Sequence, residues 1–378
     1  MTTTEVLPGT VPAVEDIEGA PRRYAAASRH LLQPAIVGAT GYAGLELVKL
    51  LSRHPGSKAP LLFQRPVEGA AAMRLSSMYP QLAGTAAAQN DAMHPLKVEA
   101  MVASGVDVVF LATPHEQSRE LVPEALEAGL RVVDLSGAWR LREATNRAVY
   151  KFGDEGGARA EETQRQAVYG CPELHREQLK GARLVANPGC YATSIILALA
   201  PLLQLGMVDV ERGIICDSKS GVSGAGKQAT ATTHFMHAAD NLSVYGVYGH
   251  RHLGEIAEQL QLTTEQLTFT PQLLPVPRGI LSCIYVQLRE TQTPEFVQNV
   301  FAEFYAASPM VRVLRAGALP ELQHVVHTNF CDIGFVLSPE RRRLTIVSCL
   351  DNLLKGAAAQ AVQNMNVVFG FTEDEGLR

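Results

Sequence analysis

Two kinds of hydrophobic run alternate along the first part of the chain. Short, uninterrupted apolar runs are typical of strands buried on both faces, and stretches with apolar residues three and four positions apart are typical of amphipathic helices. The predicted strands are residues 33–38, 60–64, 106–112 and 131–135, and the predicted helices begin near residue 44 and run over 118–127. Because parallel strands need crossovers of about this length, the pattern predicts an α/β fold with a Rossmann-like, doubly wound parallel sheet.

The pattern changes after about residue 187. Residues 190–205 predict one helix that is apolar all round, and β-rich segments at 213–217, 281–288 and 344–349 alternate with glycine-rich loops, which is typical of an α+β domain. An Ala-rich helix is predicted over 352–365, with Asp351 as its N-cap. We therefore expect a loosely ordered extension (1–33), a nucleotide-binding domain (34–189, to which 351–378 returns) and an α+β catalytic domain (190–350).

Composition limits the partners of the chain. Its 378 residues suit two or three domains at about 150 residues each. The 33 Lys and Arg against 38 Asp and Glu give a charge of −5, which offers no basic field for nucleic acid. No apolar run is long enough for a membrane helix. The six cysteines form no C-x-x-C pair, so neither a disulfide framework nor a zinc ribbon is indicated. We expect a cytoplasmic homo-oligomer, a dimer or tetramer, that acts on small molecules.

A glycine-rich turn joins the first predicted strand to the first predicted helix. Gly38, Gly41 and Gly44 give the spacing G-x-x-G-x-x-G, a variant of the dinucleotide fingerprint, in the position where glycines let the backbone approach a pyrophosphate. About 20 residues further on, where an NAD site places an acid, the chain has Gln64 and Arg65. A guanidinium there matches a 2′-phosphate, so the sequence favours NADP.

Cys190 is the strongest candidate for a nucleophile. It follows Asn187-Pro-Gly, a turn that leads directly into the apolar helix, so the thiol is expected at a helix N-terminus. The helix dipole is expected to lower the pKa of the thiol there and to favour the thiolate, which attacks carbonyl carbon.

Two further segments are rich in candidate ligand contacts. Residues 220–226 predict a glycine-rich loop whose backbone N–H groups approach a ligand, although Gln228 after Lys227 excludes a P-loop. His250 and His252 are candidate proton shuttles, and nearby Glu255 is an acid that can orient an imidazole. The spacing of the histidines does not fit H-E-x-x-H, so no metal site is expected.

Taken together, these segments resemble the N-acetyl-gamma-glutamyl-phosphate reductases, relatives of aspartate-semialdehyde dehydrogenase. The resemblance covers about residues 34–370, and its motifs share one order along the chain. These motifs are Gly38-Ala-Thr-Gly-Tyr-Ala-Gly44, Phe110-Leu-Ala-Thr-Pro-His115, Val168-Tyr-Gly-Cys-Pro-Glu-Leu174, Asn187-Pro-Gly-Cys190, Ser220-Gly-Val-Ser-Gly-Ala-Gly226, His250-Arg-His252, Pro277-Arg-Gly279 and Asp351-Asn-Leu-Leu-Lys-Gly-Ala357.

The resemblance implies an NADPH-dependent reduction of an acyl phosphate to a semialdehyde, in arginine biosynthesis, through a thioester on Cys190. It implies that one histidine of the His250-Arg-His252 motif is the acid/base, and we favour His252. Residues implied to contact the substrate are Arg140, Tyr169 and His250. Residues implied to line the NADP site are Gly38, Thr40, Gly41, Tyr42, Gly44, Arg65, Ser136, Ser220, Ser223, Gly224 and Asn329.

Two alternative functions stay open at this stage. One is a homologous reductase of another acyl phosphate, aminoadipyl or aspartyl, because one methylene is worth only about 1–3 kcal/mol of discrimination. The other is a non-catalytic NADP-binding regulator that retains the sheet without the chemistry.

Overall fold

The computed structural model describes residues 31–65, 73–153 and 157–378. All but the last three residues of the predicted extension, 1–33, lie outside the described residues. The strands are β1 (Pro34–Val37), β2 (Leu61–Gln64), β3 (Met93–Pro95), β4 (Val108–Leu111), β5 (Arg131–Asp134), β6 (Ala167–Tyr169), β7 (Leu184–Ala186), β8 (Ile214–Gly221), β9 (Ser243–Val244), β10 (Leu267–Leu274), β11 (Ile280–Gln287), β12 (Val311–Val313), β13 (Cys331–Leu337) and β14 (Arg343–Leu350).

The α-helices are α1 (Tyr42–Leu51), α2 (Leu75–Met78), α3 (Val98–Ala103), α4 (His115–Glu127), α5 (Ala144–Arg147), α6 (Ala158–Gln166), α7 (Pro172–Leu179), α8 (Cys190–Gln204), α9 (Phe235–Ala238), α10 (His252–Leu260), α11 (Pro294–Phe304), α12 (Leu322–Val325) and α13 (Ala359–Phe369). Short 3-10 turns lie at Pro80–Leu82, Ala86–Ala88, Ala148–Tyr150, Val210–Arg212, Val222–Ala225 and Thr264–Gln266, and a π-helical turn lies at Leu354–Ala358.

The first sheet confirms the predicted doubly wound architecture. Its seven strands run in the order β3-β2-β1-β4-β5-β7-β6, and every neighbouring pair is parallel. The central strands β1 and β4 are buried along their whole length, as their uninterrupted apolar runs predict. The strand order reverses between β1 and β4, and in such sheets ligands bind outside the carboxyl ends of the strands at this point.

The second sheet is mixed and lies against helix α8. Its seven strands run in the order β12-β13-β14-β11-β8-β10-β9. Buried and less buried residues alternate along β10 and β11, so one face of the sheet is covered. Helix α8 packs on β11 and β14 and is buried on nearly every side, as its apolar composition predicts. The hydroxyl of Ser194, one turn beyond Cys190, forms hydrogen bonds with Ser282 and Ser348 in these strands.

The C-terminal segment begins as predicted and then departs from a regular helix. The carboxylate of Asp351 accepts hydrogen bonds from the N–H groups of Leu353 and Leu354, which is the role of an N-cap. The first turn is π-helical, because the N–H groups of Gly356 and Ala358 donate to carbonyls five residues earlier. Helix α13 then packs against α1 and α7 of the first sheet's layer.

A buried ion pair holds this segment in place. Lys355 in the π turn donates to Glu173 in α7 over 2.6 Å, and both side chains are 0% exposed. Burial alone would raise the pKa of Glu173, but the charge of Lys355 and hydrogen bonds from Lys355 and Gln363 hold it below its ordinary value. The stabilisation is therefore complete above the ordinary carboxyl pKa and is lost as the pH falls through the lowered one.

We expect Lys355→Met to lower the free energy of unfolding by about 3–5 kcal/mol, because it leaves the Glu173 carboxylate buried without its partner. Urea unfolding at neutral pH measures this loss, and the deficit should shrink as the pH approaches the range in which Glu173 is protonated. The control is Lys180→Met, which breaks an exposed pair with Glu177 and should cost less than about 1 kcal/mol. Equal losses for the two variants would contradict the prediction.

Candidate active site

A cavity of about 800 Å³ lies at the carboxyl edge of the first sheet. The β1–α1 turn, the ends of β2, β4 and β5, the N-terminus of α8, the turn after β8 and the start of α10 all contribute to its wall. The predicted site residues that line it are Gly38, Thr40, Gly41, Tyr42, Gly44, Arg65, Ser136, Arg140, Cys190, Ser220, Ser223, Gly224, His250 and His252.

The glycine turn is built so that no side chain fits at two of its positions. Gly38 has a φ of +90°, and a Cβ there would lie 2.3 Å from the carbonyl oxygen of Ala112. A Cβ at Gly44 would lie 2.2 Å from the carbonyl oxygen of Gly38. Gly41 is the N-cap of α1 and places no capping side chain over the first turn. The N–H groups of that turn therefore remain open to the cavity, which fits the pyrophosphate of a dinucleotide.

Arg65 directly follows β2 and faces the same cavity. Its guanidinium forms an ion pair with Glu120 over 2.7 Å, and the two side chains are 57% and 68% exposed. Such a surface pair contributes little stability. A phosphate can therefore replace Glu120 at small cost, and this arrangement fits the 2′-phosphate of NADP.

Cys190 is the first residue of α8, as predicted, and is partly exposed to the cavity. Burial raises the pKa of this thiol above its ordinary value, and the opposing influences of the Tyr191 N–H, Arg140 and Arg251 do not reverse the shift. The expected lowering of the pKa by the helix N-terminus is therefore wrong for the protein without ligand, because desolvation outweighs the favourable N–H and charges. Gly356 makes room for Cys190, since a Cβ at Gly356 would lie 2.8 Å from the Cβ of Cys190.

His252 lies immediately beside the turn that carries the nucleophile. A Cβ at Gly189 would lie 2.3 Å from Nε2 of His252, so the imidazole fills the space that a side chain at Gly189 would need. Burial lowers the pKa of His252 well below its ordinary value, and the neighbouring His250, Arg140 and Arg251 lower it further. The imidazole is therefore neutral near pH 7 and is able to accept a proton.

Glu255 does not orient His252, contrary to expectation. Nδ1 of His252 has no hydrogen-bond partner among the described residues. Instead, Oε1 of Glu255 accepts from the N–H of Gly189 and the hydroxyl of Tyr169, each over 2.7 Å, and Oε2 contacts Nη1 of Arg140 at 3.3 Å. The carboxylate is 0% exposed. It thus joins α10 to the turn that precedes Cys190.

These contacts change the interpretation of Arg140 and Tyr169. Besides Glu255, Arg140 donates from Nε to the carbonyl of Asn187 and from Nη2 to that of Leu135. Each nitrogen of its guanidinium is therefore already paired within the protein. Tyr169 is buried, does not line the cavity, and uses its hydroxyl on Glu255. Both residues therefore support the site. Tyr169 does not reach the cavity, whereas Arg140 lines it and has more N–H groups than these three bonds use, so its contact with the substrate stays a prediction.

The structure gives different outcomes for Asn329 and Ser136, two residues that were predicted to contact the cofactor. Asn329 does not line the cavity, and its amide donates to the carbonyl of Leu377, so its predicted place in the cofactor site is not supported. Ser136 lines the cavity, but its hydroxyl donates to Asp134 and accepts from the N–H of Ala138. It shapes the wall mainly through its backbone.

The site also depends on residues to which the sequence alone assigned no role. Asn352 donates to the hydroxyl of Ser223 and accepts from the N–H of Gly279, so it fixes the predicted ligand loop. That loop is the end of β8 followed by a 3-10 turn. Arg251, between the two histidines, lines the cavity. Its presence in the His250-Arg-His252 motif was a signal, but only the structure shows that its charge acts on both Cys190 and His252.

The described residues contain neither a cluster of metal-ligating side chains nor a helix suited to crossing a membrane. No group of three or more His, Cys, Asp and Glu side chains there is placed to hold a metal ion. None of the helices in this part of the chain combines the length and apolar character needed to cross a membrane.

Comparison with solved structures shows the same fold. Aspartate semialdehyde dehydrogenase II from Vibrio cholerae superposes with a TM-score of 0.66 over 89% of this chain and 97% of that one, at 18% identity. Aspartate semialdehyde dehydrogenase with NADP from Candida albicans gives a TM-score of 0.63 over 91% and 99%, at 16% identity. Residues 34–182 match the family described as semialdehyde dehydrogenase, NAD binding domain, and residues 190–352 match its dimerisation domain. Fold and site thus define an oxidoreductase of the semialdehyde dehydrogenase class.

Comparison with characterised sequences narrows this class. The N-acetyl-gamma-glutamyl-phosphate reductase of Symbiobacterium thermophilum is 43% identical over 350 residues, which are 92% of this chain and 97% of that protein. The reductase of Geobacter metallireducens is also 43% identical, over 92% of this chain and 98% of its own length. The chain belongs to the N-acetyl-gamma-glutamyl-phosphate reductase family.

We expect alkylation of Cys190 by iodoacetamide, in the protein without ligands, to reach half of its maximal rate only above the pH of about 8.5 at which a free thiol titrates. The reason is that burial disfavours the thiolate. Mass spectrometry of the Cys190 peptide as a function of pH measures this, and Cys283, the other cysteine that is not buried, serves as the internal comparison. A midpoint near or below pH 7 would show instead that the helix N-terminus dominates.

Proposed function

We propose that this chain catalyses the NADPH-dependent reduction of N-acetyl-L-glutamyl 5-phosphate to N-acetyl-L-glutamate 5-semialdehyde and phosphate, in arginine biosynthesis. The observation that carries the proposal is the juxtaposition, in one cavity, of the Cys190 thiol, the neutral His252 imidazole and the glycine turn of β1–α1. The names of the relatives supply the substrate.

Cys190 and His252 divide the chemistry between a nucleophile and a proton carrier. The sulfur of Cys190 attacks the acyl carbon, a C–S bond forms, and the C–O bond to phosphate breaks to leave a thioester. Neutral His252 takes the thiol proton and gives it to the departing phosphate. Bound NADPH supplies the hydride that reduces the thioester. Collapse of the resulting tetrahedral adduct on Cys190 then releases the aldehyde and regenerates the thiolate.

The first turn of α8 and the cations of the cavity support this reaction. The N–H groups at the start of a helix have no partner within the helix and are suited to a developing oxyanion. The N–H of Gly189 is excluded from this role because it already donates to Glu255. We assign Arg251, together with the N–H groups of Arg140 that the three bonds to the protein do not use, to the anionic groups of the substrate, since both residues line the cavity.

The cofactor would be held by the glycine turn, Arg65 and the turn after β8. Gly38 and Gly44 leave the backbone bare on the side of the pyrophosphate, and Arg65 stands where the ribose phosphate is expected. Ser223 and Gly224 also line the cavity, and Asn352 donates to the hydroxyl of Ser223.

We further propose the division of the chain suggested by its sequence. The nucleotide-binding part is 34–189, with 351–378 returned to it, and the catalytic part is 190–350. The packing of α13 on α1 and α7 supports this division. The dimerisation domain of the family supports a homo-oligomer, a dimer or tetramer. The need for a reduced Cys190 supports a cytoplasmic location.

Replacing Cys190 by Ser should lower turnover by more than about a thousandfold, because it removes the nucleophile. The assay follows NADP reduction in the presence of N-acetyl-glutamate semialdehyde and phosphate. Binding of NADPH, followed by fluorescence, should not change. Cys283→Ser should keep full activity, because this thiol lies outside the cavity. Turnover retained in Cys190→Ser would refute the mechanism.

Replacing Arg65 by Ala should raise the KM for NADPH by about 10- to 150-fold, the equivalent of 1.5–3 kcal/mol for hydrogen bonds to a charged group. The KM for NADH should stay nearly constant, since NADH has no 2′-phosphate. Glu120→Gln, which removes only the ion-pair partner of Arg65, is the matched control and should not weaken NADPH binding. An equal effect on both cofactors would show that Arg65 does not read the phosphate.

A further inference from the structure

The buried carboxylate of Glu255 joins parts of the chain that are far apart in sequence. Its three partners are Gly189, Tyr169 and Arg140, which are 66, 86 and 115 residues away. All three lie at or just beyond the carboxyl ends of strands of the first sheet: β7, β6 and β5. Glu255 itself lies in α10, a helix that packs against α8.

Helix α10 carries both this carboxylate and the acid/base. His252 is its first residue, and Glu255 follows three positions later, close to one helical turn. The nucleophile, in turn, directly follows Gly189. One hydrogen bond, from the N–H of Gly189 to Oε1 of Glu255, therefore ties the segment that carries Cys190 to the helix that carries His252.

We propose that Glu255 is a positioning residue, which fixes the turn before Cys190 relative to the helix that begins with His252. The proposal rests on the proposed function, because it assigns Cys190 and His252 their roles. Glu255 touches neither reacting side chain in the described hydrogen bonds, and its carboxylate is fully buried beneath the site.

The tight fit at Gly189 explains why this one bond matters. The ring of His252 and the guanidinium of Arg140 both lie close to Gly189. A Cβ at Gly189 would lie 2.3 Å from Nε2 of His252 and 2.8 Å from Nη1 of Arg140. The peptide at Gly189 thus has close neighbours on one side and a hydrogen bond to Glu255 as its anchor. Without this bond the N–H of Gly189 loses its partner and the turn is held less firmly, and a displacement of about 1 Å at a reacting group costs on the order of a hundredfold in rate.

Arg140 and Tyr169 hold the carboxylate in place. A carboxylate buried without partners would be strongly destabilising, and here the charge of Arg140 and the hydroxyl of Tyr169 satisfy it. Arg140 also donates to the carbonyl of Asn187, so the Asn187-Pro-Gly turn is held from both sides. Tyr169 therefore acts on the site from within the protein, and Arg140 does so while it also lines the cavity.

The charge of Glu255 works against ionisation of the thiol. Glu255 raises the pKa of Cys190, whereas Arg140 lowers it. The negative charge of Glu255 thus opposes formation of the thiolate, and its loss should make the thiol easier to ionise. Loss of the Glu255 carboxylate should therefore lower kcat, because the turn before Cys190 is held less firmly. It should also lower the pKa of the Cys190 thiol, because a nearby negative charge is removed.

The test compares Glu255→Gln, Glu255→Asp and Glu258→Gln in the full chain. Glu258 is the matched control, because it lies one turn further along α10 and also accepts hydrogen bonds across to the first part of the chain, from Arg142, Glu143 and Asn146. It does not line the cavity. The readouts are kcat, the KM for NADP and for the semialdehyde, and the pH midpoint of Cys190 alkylation.

We expect Glu255→Gln to lower kcat by about 10- to 100-fold, with the KM for NADP within twofold of the unmodified protein and the alkylation midpoint shifted to lower pH. Glu255→Asp keeps the charge but is one methylene shorter, so kcat should fall while the midpoint stays unchanged. Glu258→Gln should change neither quantity. If Glu255→Gln does not fold, Glu255→Asp and Tyr169→Phe, which removes one donor, provide the test.

Several results would overturn the proposal. They are a normal kcat in both Glu255 variants, an equal loss of kcat in Glu258→Gln, or a raised KM for the semialdehyde with unchanged kcat, which would make Glu255 a substrate contact. If the unmodified protein does not act on N-acetyl-glutamate semialdehyde, the proposed function fails. The pH dependence of Cys190 alkylation then still tests the role of Glu255. If this pH dependence is the same in Glu255→Gln and in the unmodified protein, Glu255 does not act on Cys190.

Discussion

The site depends on the burial of α8. This helix is apolar on all sides, packs on the second sheet and has its N-terminus at the carboxyl edge of the first sheet. Burial fixes the helix, and the hydrogen bonds of Ser194 to two neighbouring strands fix its rotation. Cys190, the first residue of α8, is therefore held at a fixed position in the wall of the cavity. Gly356 leaves room for Cys190, and His252 lies against Gly189 in the turn that precedes it.

Burial of Cys190 and His252 favours a neutral resting site. Burial raises the pKa of the thiol and lowers that of the imidazole, so neither group is ionised near pH 7 in the protein without ligand. Reactivity then comes from the proximity of the two groups, with a proton passing between neighbours as the C–S bond forms. Such a site exposes little thiolate to oxidants between turnovers, since the thiolate is the more reactive form.

The sequence was sufficient for the elements with strong periodicity. The first-sheet strands with long apolar runs, the apolar helix α8 and the cap at Asp351 were all predictable. The three-residue strands β3, β6 and β7 were not, because so short a run has no period. Strands β10 and β13 were not predicted either. Pro271 lies inside β10 and Gly334 inside β13, and both residue types weaken the sequence pattern of a strand.

Within the site, sequence reasoning found the residues whose local context is distinctive and missed those defined by distant contacts. Cys190 follows a Pro-Gly turn, and His252 lies in a crowded polar motif, so both were recognisable. The role of Glu255 depends on partners 66 to 115 residues away, and no local pattern records them. The pKa of Cys190 was predicted in the wrong direction for a related reason, because the helix start is visible in the sequence and the depth of burial is not.

The π turn at Leu354–Ala358 has a consequence for how the C-terminal segment tolerates insertions and deletions. A π turn accommodates one residue more than an α turn, and each residue of an α-helix advances the chain by about 100°. Shortening the turn by one residue would relax it to a regular helix, but it would also rotate the buried face of α13 by roughly a quarter turn relative to Asp351 and Asn352. The irregular turn thus allows one continuous segment to place Gly356 against the nucleophile and its apolar residues against α1. A change in the length of this segment therefore has a cost of its own, separate from the cost of replacing the side chains of Lys355 or Gly356.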